Sequence, residues 1–122
     1  MARVLVIEDD EDQRVLLREM LKGGGHEVTE ARDGAEGLRL FGQTKPDIVL
    51  TDINMPGLDG HDVISALRVQ NAQVPIIAVS GGSEVAMDEL LLEAARLGAK
   101  EIVTKPFEFR QILGAVSRAL TL

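Results

Sequence analysis

Five acidic residues, Glu8 to Asp12, follow the apolar run Val4–Ile7 without a break. Carboxylates so close repel one another, most strongly where water is scarce. Three more polar positions close or follow apolar runs: Asp52 after "DIVLT", Ser80 ending "PIIAVS", and Lys105 after "EIVT". Oxygen donors with no His or Cys among them suit a hard cation such as Mg²⁺, which takes one or two carboxylates, keeps several waters and accepts phosphate oxygen. A divalent ion would offset the crowded charge, and the Lys105 ammonium would offset more of it. A carboxylate kept ionised by a metal and an ammonium can act as a nucleophile. Phosphoryl transfer needs mainly positioning and neutralisation of the equatorial oxygens. Mg²⁺, Lys105, the Ser80 hydroxyl and backbone N–H groups near Asn54 and Gly81 are the groups that could supply it.

Taken singly, each residue has a plain structural reading. An acidic residue after a strand ordinarily caps the next helix, which accounts for Asp10 or Asp12. Asp52 alone reads as a cap or turn, Ser80 as a turn and Lys105–Pro106 as a loop. Their weight comes from the elements that must position them. "RVLVI" (3–7) is a continuous apolar strand. Residues 11–22 put Leu16, Leu17, Met20 and Leu21 at helical spacing, with Val15 opposite, and "GGG" (23–25) ends that helix. A short strand (26–31) follows, then a helix capped by Asp33 and running through Ala35, Leu38, Leu40 and Phe41. Strands 47–51, 75–80 and 101–104 alternate with helices predicted over 60–70, 83–98 and 107–120. Val63, Ile64 and Leu67 share one face of the first of these, Ser83 caps the second and Gly98 follows it.

This alternation is (βα)5. Continuous apolar strands imply a parallel sheet covered on both faces by helices, a doubly wound α/β fold. Ligands in such folds sit at the carboxyl ends of the strands. The acidic run, Asp52, Ser80 and Lys105 therefore all fall at one edge of one sheet, in chain order.

Composition narrows the alternatives. The chain has 122 residues, 45% of them apolar, which suits one globular domain. Its apolar runs are far shorter than the ~20 residues of a membrane span, and no signal-peptide pattern opens it. The absence of cysteine excludes disulfides and thiolate metal sites and suits a cytoplasmic protein. A formal charge of −7 with no basic cluster argues against direct nucleic-acid binding, and the lack of Trp and Tyr removes base-stacking platforms. "GGG" at 23–25 is misplaced for a dinucleotide-binding loop and reads as a turn. "SGGS" (80–83) is better placed for anion binding at a helix start. His26 and His61 read as surface residues with no assigned role.

Four segments carry a resemblance: "VLVIEDDE", "DIVLTDINMPGLDG", "PIIAVSG" and "LGAKEIVTKPF". Through them the whole chain resembles a response-regulator receiver domain of bacterial two-component signalling. The resemblance implies a flavodoxin-like five-stranded sheet in the order 2-1-3-4-5, formed by a single domain over residues 1–122 with no effector domain in this chain. It implies that Asp52 is the phosphoacceptor. Mg²⁺ is expected on Asp9, on Glu8 through a water, on Asp52 and on the Asn54 backbone carbonyl. Ser80 is the hydroxyl that moves to meet the phosphoryl group, Lys105 is the paired lysine, and Lys105–Pro106 is a cis peptide. The donor would be a phosphohistidine on a sensor histidine kinase or histidine phosphotransfer protein, or a small phosphodonor. The chain would catalyse only its own phosphorylation and dephosphorylation. Output would pass to an unknown partner through a face made by the helix over 83–98, the strand over 101–104 and the closing helix.

Two departures stand out. Ile102 occupies the switch position where the family commonly carries Tyr or Phe. Ser80 to Lys105 spans 25 positions, longer than usual, the excess falling in "GGSEVAMDELLLEAA". Leu90, Leu91 and Leu92, with Met87 and Val85 before them, span too wide an arc for all to be buried, so at least one is expected at the surface. Val15 is a candidate for the kinase-docking face. Two other readings stay open: a degenerate receiver acting as a binding module, and a Mg²⁺-dependent aspartyl-phosphate hydrolase. The hydrolase reading is weakened by Asn54, because haloacid-dehalogenase-like enzymes carry a second Asp two residues past the nucleophile.

Overall fold

The computed structural model describes residues 2–53, 60–80, 92, 95–96 and 98–121. Asn54, Gly81, Gly82, Ser83, Val85, Met87, Leu90, Leu91 and the His61 side chain lie outside the described residues. Five parallel strands, β1 (Arg3–Ile7), β2 (Glu27–Ala31), β3 (Ile48–Asp52), β4 (Ile76–Ser80) and β5 (Glu101–Thr104), form one sheet in the order β2-β1-β3-β4-β5. Helices α1 (Glu11–Gly23), α2 (Gly34–Thr44), α3 (Gly60–Gln70) and α4 (Phe109–Leu120) alternate with them. Positions 92, 95 and 96, inside the helix expected over 83–98, are helical. Among the described residues no helix is long and apolar enough to cross a membrane.

Successive strand residues point to opposite faces, and both faces are apolar here. Val4, Val6, Ile48, Leu50, Ile77 and Val79 pack with Leu17 and Leu21 of α1 and Ile112, Ala115 and Val116 of α4. Leu5, Ile7, Val49, Ile76 and Ala78 pack with Phe41 of α2 and Val63, Ile64 and Leu67 of α3. Among the described residues, two helices thus pack on each side.

Local chemistry sets the element ends. Asp33 caps α2 by accepting from the Glu36 N–H at 2.8 Å, and Glu36 in return accepts from the Arg32 N–H at 3.0 Å. The triple glycine closes α1: the Gly24 N–H reaches the carbonyls of Leu21 and Met20, and Gly25 has φ of 88°, a conformation L side chains rarely adopt. The closing helix begins two residues later than expected, at Phe109, because Glu108 and Gln111 form a reciprocal capping box. Lys100 Nζ donates to the Ala119 and Thr121 carbonyls at 2.8 Å and so caps the C-terminal end of α4. Arg68 Nη1 donates to the Val74 carbonyl at 2.6 Å and Nη2 to the Gly98 carbonyl at 2.7 Å, tying the end of α3 to the approach to β5.

Several expectations about facing need correction. Leu16 is 41% exposed, while Val15 is half-buried. The buried line of α1 is Leu17–Leu21, so the helix presents a narrower stripe to the sheet than the four expected residues. Ala35 is exposed, and Gly34 and Gly37 face the sheet in its place. His26 is half-buried, its Nδ1 accepting from the Ala2 N–H at 3.1 Å. Leu92 is 54% exposed, in line with the crowded leucines.

Gly37 marks a close approach of helix to sheet. A Cβ there would lie 2.5 Å from Ile7 Cδ1 and 2.7 Å from Ile7 Cγ1. Gly37→Ala is expected to lower stability by about 1–2 kcal/mol, because overpacking a filled core outweighs the gain in helix propensity. Urea denaturation midpoints measure the difference.

Candidate functional site

The five consecutive acidic residues divide by position. Glu8 continues the row of Val4 and Val6 and is fully buried. Asp9 is exposed. Asp10 is the N-cap of α1 and accepts from the Gln13 N–H at 3.0 Å. Glu11 and Asp12 lie in the first helical turn, where the macrodipole favours negative charge. Only Glu8 and Asp9 remain for the site.

Asp52 is the last residue of β3 rather than the first of the loop after it. It pairs with Val79, and by alternation continues the row of Ile48 and Leu50 on the α1/α4 side. Lys105 likewise follows Val103 by two. Glu8, Asp52 and Lys105 therefore converge over one face. Ser80, fully buried, belongs by alternation to the Ile76–Ala78 row on the other face. Its carbonyl accepts from the Lys105 N–H at 2.7 Å, which joins the ends of β4 and β5. The peptide between Lys105 and Pro106 is cis.

Lys105 Nζ donates to Glu8 Oε1 at 2.7 Å and to Asp52 Oδ2 at 3.2 Å. Two buried carboxylates thus face one ammonium. Burial pushes the Glu8 carboxyl up to about 8, and its hydrogen bond with the Asp52 carboxyl adds to the rise, against the opposing pull of Lys105. Burial alone would lower Lys105, but the bond it donates to Glu8 and the charges of Asp52 and Glu8 outweigh it and hold the ammonium above its ordinary value. Near neutral pH the pocket therefore keeps a proton that one more positive charge could replace.

Glu8, Asp9 and Asp52 each offer one carboxylate oxygen, all within 4.8 Å of one another. An all-oxygen set open to water at Asp9 fits a hard divalent cation such as Mg²⁺. Of the residues expected here, Glu8, Asp9, Asp52 and Lys105 come together, and Ser80 stands at the neighbouring strand end. Asn54 lies outside the described residues. Ile102 pairs with Ala78 and is 36% exposed. Reading the sequence missed Arg14, whose Nη1 donates to the Glu8 carbonyl at 3.1 Å. An arginine in an amphipathic helix gives no sequence signal that distinguishes it from a solvated surface charge.

A doubly wound sheet with an acidic trio and a lysine at its carboxyl edge fits a receiver domain. The chain matches the response regulator receiver domain over residues 4–117 and belongs to that family. The transcriptional regulatory protein PrrA of Mycobacterium leprae is 42% identical over 118 residues, covering 97% of this chain and 49% of that protein. The chemotaxis protein CheY of Bacillus subtilis is 31% identical over 119 residues, covering 97% of each. The crystal structure of the receiver domain of NtrX from Brucella abortus is similar with a TM-score of 0.89 at 30% identity, covering 96% of this chain and 97% of that one. The chain spans about half the length of the PrrA regulators it matches.

Proposed function

We propose that this receiver is a phosphorylation-dependent switch with Asp52 as its phosphoacceptor. A carboxylate oxygen of Asp52 attacks the phosphorus of a phosphohistidine on a sensor histidine kinase or histidine phosphotransfer protein. The new P–O bond forms as the P–N bond breaks, and the departing imidazole keeps the electron pair and takes a proton from water. Small phosphodonors serve in the same way. Glu8, Asp9 and Asp52 would hold Mg²⁺, which when bound supplies positive charge for the phosphoryl oxygens. Lys105 gives up its contact with Asp52 for a phosphoryl oxygen, keeping its bond to Glu8. The Ser80 hydroxyl moves toward the same group, and its backbone bond to Lys105 couples the two strand ends. The population then shifts toward a state with an altered face around β5 and α4. With Ile102 in place of a ring, the readout falls on Ser80 and the strand ends.

The observation that carries this reading is Lys105 Nζ within hydrogen-bond reach of both Glu8 and Asp52, beside a third carboxylate. Incubation with Mg²⁺ and a small phosphodonor is expected to add one phosphoryl mass to the intact protein, and Asp52→Asn to remove that adduct entirely. An adduct that survives in Asp52→Asn would reassign the acceptor. A wild-type protein that takes up nothing would leave a binding module, and rapid turnover of a phosphate ester would point to a hydrolase.

A further inference from the structure

Arg14 stands in the first turns of α1 with its side chain 12% exposed. Nη1 donates to the Glu8 carbonyl at 3.1 Å, and Nε lies 3.5 Å from Glu30 Oε1. The other Glu30 oxygen accepts from Arg18 Nη1 at 3.2 Å. The need for this contact lies in the sheet. The β1–β2 ladder runs to Ile7 opposite Ala31, and its last rung is the Glu8 N–H donating to the Ala31 carbonyl at 3.1 Å. Because β2 ends at Ala31, the Glu8 carbonyl lies past the last strand residue that could pair with it. Backbone carbonyls at buried positions need a partner, and Arg14 provides one.

The Glu8–Asp9 peptide decides where the Asp9 Cα stands relative to Glu8 and Asp52. Asp9 is the exposed member of the acidic trio, so packing does little to hold it. We infer that Arg14, braced by Glu30 on β2, is a positioning residue that fixes the Glu8–Asp9 peptide plane and so aims the Asp9 carboxylate at a divalent cation. This rests on the Mg²⁺ reading above. Charge alone gives the opposite sign: a guanidinium beside an anionic pocket repels a cation, so its loss would tighten binding.

Calorimetric titration of the whole chain with MgCl₂ separates the two. Arg14→Met is expected to weaken Mg²⁺ binding about 10-fold, in the range seen when outer partners of metal ligands are removed. Arg14→Gln, which keeps an N–H donor without the charge, is expected to recover most of that loss. Glu30→Gln should show a smaller loss of the same sign. In metal-free protein, amide exchange at Asp9 should be faster in Arg14→Met than in wild type. Mg²⁺ binding by Arg14→Met as tight as wild type or tighter, or Arg14→Gln as weak as Arg14→Met, overturns the assignment. If Arg14→Met does not fold, amide exchange at Asp9 in metal-free Glu30→Gln decides, and exchange there no faster than in wild type overturns it. A wild-type chain that takes up no Mg²⁺ overturns the metal reading itself, and this inference with it.

Discussion

Lys105→Met is expected to slow phosphoryl uptake from a small phosphodonor by about 100-fold at saturating Mg²⁺, the scale of losing one preorganised donor to a developing anionic centre. The Lys105 side chain is 19% exposed, and its ammonium sits against two carboxyl groups that are nearly or fully buried. In so dry a setting its charge is worth far more than that of a surface lysine. The fold is expected to survive the change. Glu8 already holds a proton up to about pH 8 and can keep it to a higher pH when the ammonium is gone, so no second bare charge is stranded. The check is an intact-mass time course on wild type and variant, with urea denaturation of both. Uptake within a few-fold of wild type would mean that Lys105 does not contact the transferring group.

Glu8→Gln should stabilise the metal-free protein, and by an amount that depends on pH. A carboxyl held above its unfolded value binds a proton in the native state that the unfolded chain has already lost. The stability Glu8 contributes is therefore full below its ordinary value of 4.5 and is gone once pH has risen through about 8. Glutamine is neutral throughout, accepts from Lys105 and can donate to Asp52. At pH 8.5 in EDTA the variant is expected to be about 2 kcal/mol more stable than wild type, less than the full shift would give because water reaches the pocket past Asp9. At pH 5, where wild-type Glu8 carries its proton, the gap should nearly close. Urea midpoints across this range measure it. A gap that stays constant with pH, or a variant less stable at pH 8.5, would show that Glu8 does not hold the raised proton affinity.

The same electrostatics explain what could be read from the sequence. Continuous apolar strands forced a parallel sheet, and a parallel sheet forces strand ends to one edge, so Glu8, Asp9, Asp52 and Lys105 could be brought together before any coordinates. The cap at Asp33 and the turn at 23–25 were legible because capping chemistry is local. What was not legible depends on packing between distant segments. Leu16 is exposed while Leu17 and Leu21 are buried, a facing that the spacing of apolar residues within α1 does not settle. The division of labour among Glu8, Asp9 and Asp10 depends on where β1 stops and α1 starts, a boundary that five successive acids do not mark. Asp52 as a strand terminus, and Ser80 on the opposite row from Lys105, follow from register rather than composition. Arg14 was invisible because its partner is a backbone carbonyl, and only the end of the β1–β2 ladder shows that this carbonyl needs one.

Borohydride reduction after treatment with Mg²⁺ and a small phosphodonor tests the pocket most directly, since it converts an aspartyl phosphate to homoserine at the residue that carried it. Peptide mass spectrometry should find homoserine at position 52, only when Mg²⁺ was present. Homoserine at another acidic residue, or at position 52 to the same extent in EDTA, would contradict a pocket in which metal and lysine prepare Asp52 for the phosphoryl group.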